Sequence, residues 1–346
     1  MEAKVSPEAV KAKAELLAGG AVKIAKGFRL PFSPSKSTAG PGAGLPEIVI
    51  SFGDTRAKKV VSRTEGEFEL IEDGESLTIV RGSDVVVDDV YLQPTLHHAP
   101  FQAFINIDSS CIFNCVFCNA HRLEHYATKN LTDDKIVNMA VLAASSDGFA
   151  GIALTSGVPQ TQDDVTERMS NIVRKIRAAL PDTPIGVEPY VTHPRQIDDL
   201  KAAGATEIKL NIETFDPDIF EKACPGRDYS GTLHAINHAC RVFGRNRVCS
   251  NIIFGLGETD DCVVQGARVL ANMGAVATLR ALRLNKANAS EIMASIGSLQ
   301  PVTADRMLAL ARKHKVVLKD HDLTPLTFKT MCHACLSCDI VPFWDL

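Results

Sequence analysis

The chain has 346 residues, enough for one barrel-sized domain with extensions or for two modest domains. Its 45% hydrophobic and 23% charged residues and net charge of −4 fit an ordinary globular protein and offer no basic surface for nucleic acid or an anionic membrane. No run of 18 apolar residues occurs and residues 1–20 lack a signal-peptide core, so no membrane span is expected and a cytoplasmic location is.

In chain order, Ser6 as N-cap and Pro7 at the first helical position predict a helix over 7–26. The stretch LPFSPSKSTAGPGAG (30–44) reads as a linker without regular structure. Residues 1–45 are thus expected to be a helix and linker, and 46–96 a small β-rich domain. Its strand candidates are EIVISFG, KKVVSR, EFELIED, SLTIVRG and DVVVDDVYL, which alternate in period two and are punctuated by Gly or Asp. From about residue 100 the pattern changes. Strand candidates at 101–107, 151–156, 184–191, 207–213, 250–256 and 277–284 alternate with amphipathic segments at 133–147, 163–180, 194–204, 216–223, 230–243, 260–273 and 303–315. Repeated strand–helix units imply an α/β fold with a parallel sheet. No Gly-x-Gly-x-x-Gly follows the first strand, so a full or partial (β/α) barrel over 97–318 is expected rather than a nucleotide-binding open sheet. Chemistry in such folds collects at the C-terminal ends of the strands.

Ten cysteines are many for this composition. Clustered spacings in a long α/β chain favour metal or redox chemistry in a reducing compartment over a disulfide scaffold. CIFNCVFC places Cys111, Cys115 and Cys118 directly after the first barrel strand. Three thiolates on one loop can hold three irons of a cubane cluster and leave the fourth open to a small molecule. A zinc site with His121 as fourth ligand is the plainer alternative.

This motif resembles the signature of the radical S-adenosylmethionine (SAM) enzymes, including the aromatic Phe117 before the last cysteine. The resemblance covers about residues 100–285. It implies a [4Fe-4S] cluster on Cys111, Cys115 and Cys118, chelation of its open iron by the methionine end of SAM, and reductive cleavage to a 5′-deoxyadenosyl radical. After strand two, TSGVPQT stands where the family often has Gly-Gly-Glu, and only Gly157 survives. TSGVPQTQDD is closer to the Thr-Ser-x-x-x-x-Asp-Asp pattern of lipoyl synthases, which marks Thr155, Ser156 and Gly157 as SAM candidates; a strand-to-helix turn is the plain reading. Glu188 ends strand three, where a carboxylate would meet SAM or substrate. In LNIET, Asn211 and Glu213 share one face, the barrel interior, where polar groups are costly unless they bind something. The biotin synthase and lipoyl synthase branch uses such residues for the ribose of SAM, and the Arg-x-Tyr element at Arg227 and Tyr229 resembles the same branch. Gly255 and Gly257 in NIIFGLGET allow close backbone approach and in that branch pack against adenine. Glu258 could equally cap the next helix. Arg280 and Arg283 on strand six could clamp a carboxylate or stand at a solvated rim.

CHACLSC brings a second triple, Cys332, Cys335 and Cys338, into the 319–346 segment. Its spacing fits iron–sulfur ligation, or zinc with His333 or another residue as fourth ligand. Lipoyl synthases keep their sacrificial auxiliary cysteines before the radical motif, but no cysteine precedes Cys111 here. A divergent lipoyl- or biotin-synthase-like group is therefore expected, with a second, auxiliary cluster (a [4Fe-4S] by expectation) that donates sulfur to an unactivated carbon. Cys224, Cys240, Cys249 and Cys262 read as ordinary buried thiols, Cys249 least securely. The resemblance further implies a small-molecule or carrier-bound substrate, an electron donor such as ferredoxin or flavodoxin, anaerobic chemistry and, for a divergent group, a partner radical SAM subunit. Two alternatives remain: a rearrangement, fragmentation or hydrogenase-maturase-like enzyme whose tail cluster binds substrate or relays electrons, and a non-catalytic iron–sulfur carrier.

Overall fold

Ser6 accepts from the Ala9 N–H and Pro7 opens α1 (Pro7–Ala18). The expected helix over 7–26 stops at Ala18, because Gly19 and Gly20 break it. The chain then enters a strand, β1 (Val22–Ile24). The computed structural model describes residues 4–74, 76–123 and 131–346. The stretch 30–44, expected to be irregular, holds β2 (Ser35–Lys36) and a bridge between Ser37 and Ala43. The strands β3 (Pro46–Phe52), β4 (Thr55–Ser62), β5 (Phe68–Asp73), β6 (Ser76–Arg81) and β7 (Asp84–Gln93) follow. Their order is β3-β4-β1-β5-β6-β7, and β7 pairs back with β3, so six strands close into a barrel. The β-rich unit therefore begins before residue 46, with β1 inserted between β4 and β5.

The second unit is a six-stranded parallel sheet whose neighbours follow chain order: β8 (Gln102–Asn106), β9 (Gly151–Thr155), β10 (Ile185–Glu188), β11 (Glu207–Lys209), β12 (Val248–Phe254) and β13 (Val276–Ala281). The helices are α2 (Asp133–Ala144), α3 (Gln162–Ala179), α4 (Pro194–Ala202), α5 (Pro217–Ala223), α6 (Tyr229–Phe243), α7 (Asp260–Met273), α8 (Ala289–Ile296) and α9 (Ala304–Asp320). Most start on a side-chain cap, such as Thr132, Thr161, Thr259 and Thr303, and at Thr161 and Thr259 the cap fixes the turn just after a strand end. All five residues of β9 are buried, as a strand covered on both faces requires. Two expectations shift. β11 ends at Lys209, not 213, because the Asn211 and Ser250 side chains replace ladder bonds: Asn251 N–H donates to Asn211 Oδ1 at 3.1 Å and Ile212 N–H to Ser250 Oγ at 3.0 Å. α8 lies where no helix was expected.

Among the described residues β8 and β13 do not pair with each other, so the sheet is a partial barrel with a seam. The Gly-rich strap around residues 37–42 covers that seam. Asn106 Nδ2 donates to Thr38 O at 2.8 Å, while Asn119 Nδ2 and Asn285 Nδ2 donate to Pro41 O at 2.8 and 3.0 Å. The segment after α9 runs under the N-terminal ends of the strands and turns up into α10 (Met331–Cys335). Glu207 takes the Lys329 and Thr330 N–H groups, each at 2.9 Å, and Gln102 donates to Met331 O at 2.9 Å. A Cβ on Gly186 would stand 2.1 Å from Thr330 Oγ1, so only glycine admits this plug. Among the described residues no helix is long and apolar enough to cross a membrane.

Candidate functional site

The loop of Cys111, Cys115 and Cys118 is held by backbone bonds to three neighbours. Gly157 N–H donates to Asp108 O (2.7 Å), Ile112 N–H to Val158 O (2.8 Å) and Val116 N–H to Ala223 O (2.9 Å). Gly157 is required there: a Cβ would lie 2.2 Å from Ser110 O. Cys115 is buried, while Cys111 and Cys118 are half-buried. Burial pushes the Cys118 thiol up to about 12. A hydrogen bond with Cys224, aided by Arg227, pulls Cys115 below the ordinary thiol value despite its burial.

A cavity of about 440 Å³ fills the inside of the partial barrel. Cys115 and Cys118 line it, and so do Cys332, Cys335 and Cys338. Two thiols of the first triple and all three of the second, more than 200 residues apart in sequence, face one chamber, and Cys111 stands outside its lining. Every strand of the sheet contributes, through Asn106, Thr155, Glu188, Lys209, Asn251 and Arg280. The strap and the N-terminal barrel close the remaining side with Ser37–Gly42, Glu47 and Lys58. Asn106 Oδ1, Arg227 Nε, Asn251 Oδ1 and Arg280 Nη1 are buried and find no hydrogen-bond partner among the described residues. Unpartnered polar atoms on several elements around one chamber are the mark of a ligand site.

Of the SAM candidates, Phe117, Thr155, Glu188, Asn211, Glu213, Arg227 and Arg280 line this cavity. Ser156 and Gly157 sit beside it in the turn that packs on the cysteine loop. Gly255 lies instead on a second cavity, of about 550 Å³, between the N-terminal barrel and β13. Gly257 packs against Ser298 and lines neither. Glu258 does not cap a helix. It takes the Gly255 and Leu256 N–H groups at 2.7 and 2.8 Å and pairs with Arg306 at 2.9 Å, while Thr259 caps α7. Tyr229 turns away and donates to Phe215 O. Arg227 ties the upper wall together, with Nη1 3.4 Å from Glu213 Oε1 and Nη2 donating to Asn211 O at 2.5 Å. Glu213 holds a left-handed φ of 67°, the kind of strain that persists where surrounding structure enforces it. Burial raises the Glu213 carboxyl, and Arg227 opposes the rise.

The lower wall belongs to the tail thiols. Lys209, 3% exposed, donates to Cys332 Sγ at 3.4 Å and pairs with Glu188 at 3.1 Å. Its charge is held despite burial by Cys332, Glu188 and Cys249. Arg280, expected as a clamp for a carboxylate, stands against Cys338, Cys332 and Asp339, which keep it charged against its desolvation. Arg283 is not at a solvated rim but beside Glu47 at 3.7 Å. Burial pushes Cys335 up to about 11 and raises Cys332, but at Cys338 it is overcome by Arg280, Arg283 and Lys58, which pull the thiol below its ordinary value. The cations here outnumber the carboxylates, a balance that favours negative charge at this end of the chamber.

Among the described residues no three His, Cys, Asp or Glu side chains gather around one ion position. His333 packs on Phe328 at 4.9 Å and meets Thr278 at 3.3 Å, outside the cavity lining, and His121 also lies outside it. Lys58, Glu47, Lys209, His98 and the strap were not singled out from sequence. Only Lys209 had a signal there, being two residues before Asn211 on the same strand face.

Residues 105–270 match a family model described as the Radical SAM superfamily. A biotin synthase of Geobacter sulfurreducens is 29% identical over 178 residues, 49% of this chain and 52% of that protein. A GTP 3′,8-cyclase of Rhizobium etli is 23% identical over 156 residues, 45% and 44% of the two chains. A lipoyl synthase of Wigglesworthia glossinidia brevipalpis is 27% identical over 175 residues, 47% and 51%. The chain spans about half the length of these curated relatives. Among solved structures, methylornithine synthase superposes with a TM-score of 0.50 at 18% identity, over 64% of this chain and 69% of that one. The FeFe-hydrogenase maturase of Carboxydothermus hydrogenoformans gives 0.52 at 16%, over 63% and 51%. At these identities the likeness is one of fold.

Proposed function

We propose that the chain, whose residues 105–270 match the Radical SAM superfamily model and whose relatives include biotin and lipoyl synthases, is a sulfur-inserting radical SAM enzyme with two clusters. The observation that carries this reading is the single chamber lined by Cys115 and Cys118 of the first triple and by all three tail cysteines. A [4Fe-4S] cluster on Cys111, Cys115 and Cys118, with SAM, supplies a radical able to take hydrogen from an unactivated carbon, and an auxiliary iron–sulfur cluster on Cys332, Cys335 and Cys338 supplies sulfide.

The chain's own residues hold, orient and seal. Thr155, Asn211, Glu213, Arg227 and the backbone at Ser156–Gly157 offer polar partners on the side of the first cysteine loop, and Phe117 and Asn106 flank them. Lys209, Arg280, Lys58 and Arg283 offset the negative charge of the tail thiolates. The strap and the tail plug keep water from the space between. A second reading keeps the radical chemistry but has the tail group hold substrate without giving up sulfur. It is favoured by the likeness to GTP 3′,8-cyclases and by the presence of only three tail thiols, which leaves one iron of a cubane without a cysteine.

The test is anaerobic reconstitution of the wild type and of the Cys332→Ala/Cys335→Ala/Cys338→Ala variant, with dithionite and SAM. About eight irons falling to about four in the variant, with 5′-deoxyadenosine still formed, is the expected result. About four irons in both sinks the two-cluster reading. No 5′-deoxyadenosine from the wild type leaves an iron–sulfur carrier. Isotopically labelled sulfide built into the tail cluster should appear in product; its absence selects the substrate-holding reading.

A further inference from the structure

The N-terminal β barrel has no counterpart in the chemistry so far described, yet it reaches the tail thiols. β4 pairs with β3 along its length but with β1 only at Val61 and Ser62, because β1 has three residues. The first half of β4 therefore keeps a free edge, and the tail uses it. Lys58 N–H donates to Ser337 O at 2.7 Å, in the turn between Cys335 and Cys338. The Lys58 side chain is 1% exposed and lines the chamber between the two triples. Its ammonium group meets His98 O at 2.7 Å, His98 Nδ1 at 2.8 Å and Glu47 Oε2 at 3.2 Å. Burial, with Lys58 and nearby arginines, keeps His98 neutral, so its Nδ1 is free to accept. The two His98 contacts direct the ammonium group, and the ion pair with Glu47 helps hold the charge in place.

The same barrel grips the rest of the tail. Lys13 and Asp345 form a fully buried pair at 2.7 Å, Thr55 Oγ1 donates to Asp345 Oδ1 at 2.7 Å, and Trp344 Nε1 donates to Asp54 O at 2.9 Å. Glu47 answers the Lys58 charge, but Arg283 stands 3.7 Å from the same carboxylate, so two cations beside the thiols share one carboxylate and leave room for a further anion.

We propose that Lys58 is a positioning residue for the tail cluster, and that the N-terminal β barrel is the second wall of that cluster's site rather than a separate docking module. This rests on the reading that the tail thiols hold a cluster. A thiolate-bound cluster is anionic, and a fixed cation behind Cys335 and Cys338 favours both its retention and its reduced state. Glu47 sets how much of that charge is felt.

The experiment is iron counting and EPR-monitored redox titration of reconstituted wild type, Lys58→Met, Lys58→Met/Glu47→Gln and Lys58→Arg. Lys58→Met is expected to lose the tail cluster or to lower its midpoint by at least a tenfold change in equilibrium, about 59 mV for one electron. The double variant removes one charge of each sign and is expected to shift the midpoint in the same direction by less. The first cluster should be unchanged in both, and Lys58→Arg should stay within threefold of wild type. Unchanged tail occupancy and midpoint in both Met variants, an equal shift in both clusters, or Lys58→Arg behaving like Lys58→Met would overturn the inference. A wild type with about four irons would instead sink the two-cluster reading beneath it.

Discussion

The loop of Cys111, Cys115 and Cys118 leaves β8 on the side where α2 to α7 begin, and keeps Ile112 52% exposed. The turn of Cys332, Cys335 and Cys338 is walled by Lys58, Lys209, Arg280 and Arg283 and gripped by both structural units. Their spacings differ by one residue, but their surroundings differ in kind. A loop at an open mouth can exchange a reagent at every turnover, as SAM cleavage demands. A plug set among fixed cations is arranged to retain what it holds. Spacing tells which residues can ligate; access and charge tell what the ligated group is for.

The largest test of this contrast removes the grip. Lys13 and Asp345 lie at 0% exposure, and Asp345 also accepts from Val341 N–H at 2.7 Å. Lys13→Met leaves a buried carboxylate without its cation, which is expected to destabilise the docked tail by about 3–5 kcal/mol. Lys13→Met/Asp345→Leu should recover most of that loss, since an apolar replacement of a buried pair is often neutral. Trp344 is the only tryptophan, so its fluorescence follows the tail while circular dichroism follows the whole fold. A single variant whose Trp344 signal and melting temperature match wild type would show that the tail is held by other contacts.

Next in size is the difference between the two sites in one molecule. A chelator should strip iron from the first loop roughly a hundred times faster than from the tail, the ratio given by an opening difference of about 3 kcal/mol. The two-site decay is followed by EPR. Equal rates would erase the contrast between mouth and plug, and rates made equal only by Lys13→Met would assign it to the grip.

Much of the mouth could be read before any coordinates. The cysteine loop, the six strands and the inward Asn211 and Glu213 follow from motif spacing and period-two alternation, because both are local. The plug could not. Lys58 and Glu47 read as alternating residues of an unremarkable strand pair, and nothing local says that β1 is too short to cover β4. The strap looked like a linker because its composition is Gly- and Pro-rich, yet three asparagines from distant elements fix its carbonyls. Arg280 was recognised as an inward arginine, but only packing shows that the tail thiols and Asp339 surround it. Gly255 and Gly257 were legible as special backbone and not as to which cavity they serve.

The smallest effect separates plug from mouth by acid. His314, on α9, is 2% exposed, and its Nε2 has no hydrogen-bond partner among the described residues. Burial lowers its pKa from 6.5 to about 4. Above pH 6.5 neither the folded nor the unfolded chain protonates it, and its titration contributes nothing. As the pH falls through 6.5 the unfolded chain binds a proton that the folded one refuses until about 4, so stability is lost across that window. The loss is about 2 kcal/mol at pH 5, on the order of 1.4 kcal/mol per unit of depressed pKa. His314→Leu should reduce the loss of stability between pH 7 and 5, read by urea unfolding of the metal-free protein, by about 2 kcal/mol, whatever it does to stability at pH 7. The slope that remains belongs to the other histidines that burial keeps neutral, such as His98 and His333. α9 packs on α1, and Lys315, next in sequence, donates to Leu346 O at 2.7 Å. The Trp344 signal should therefore recover in part with the slope. If the slope is unchanged in His314→Leu, the acid lability belongs to those other groups alone, and α9 is not the element through which protons loosen the plug.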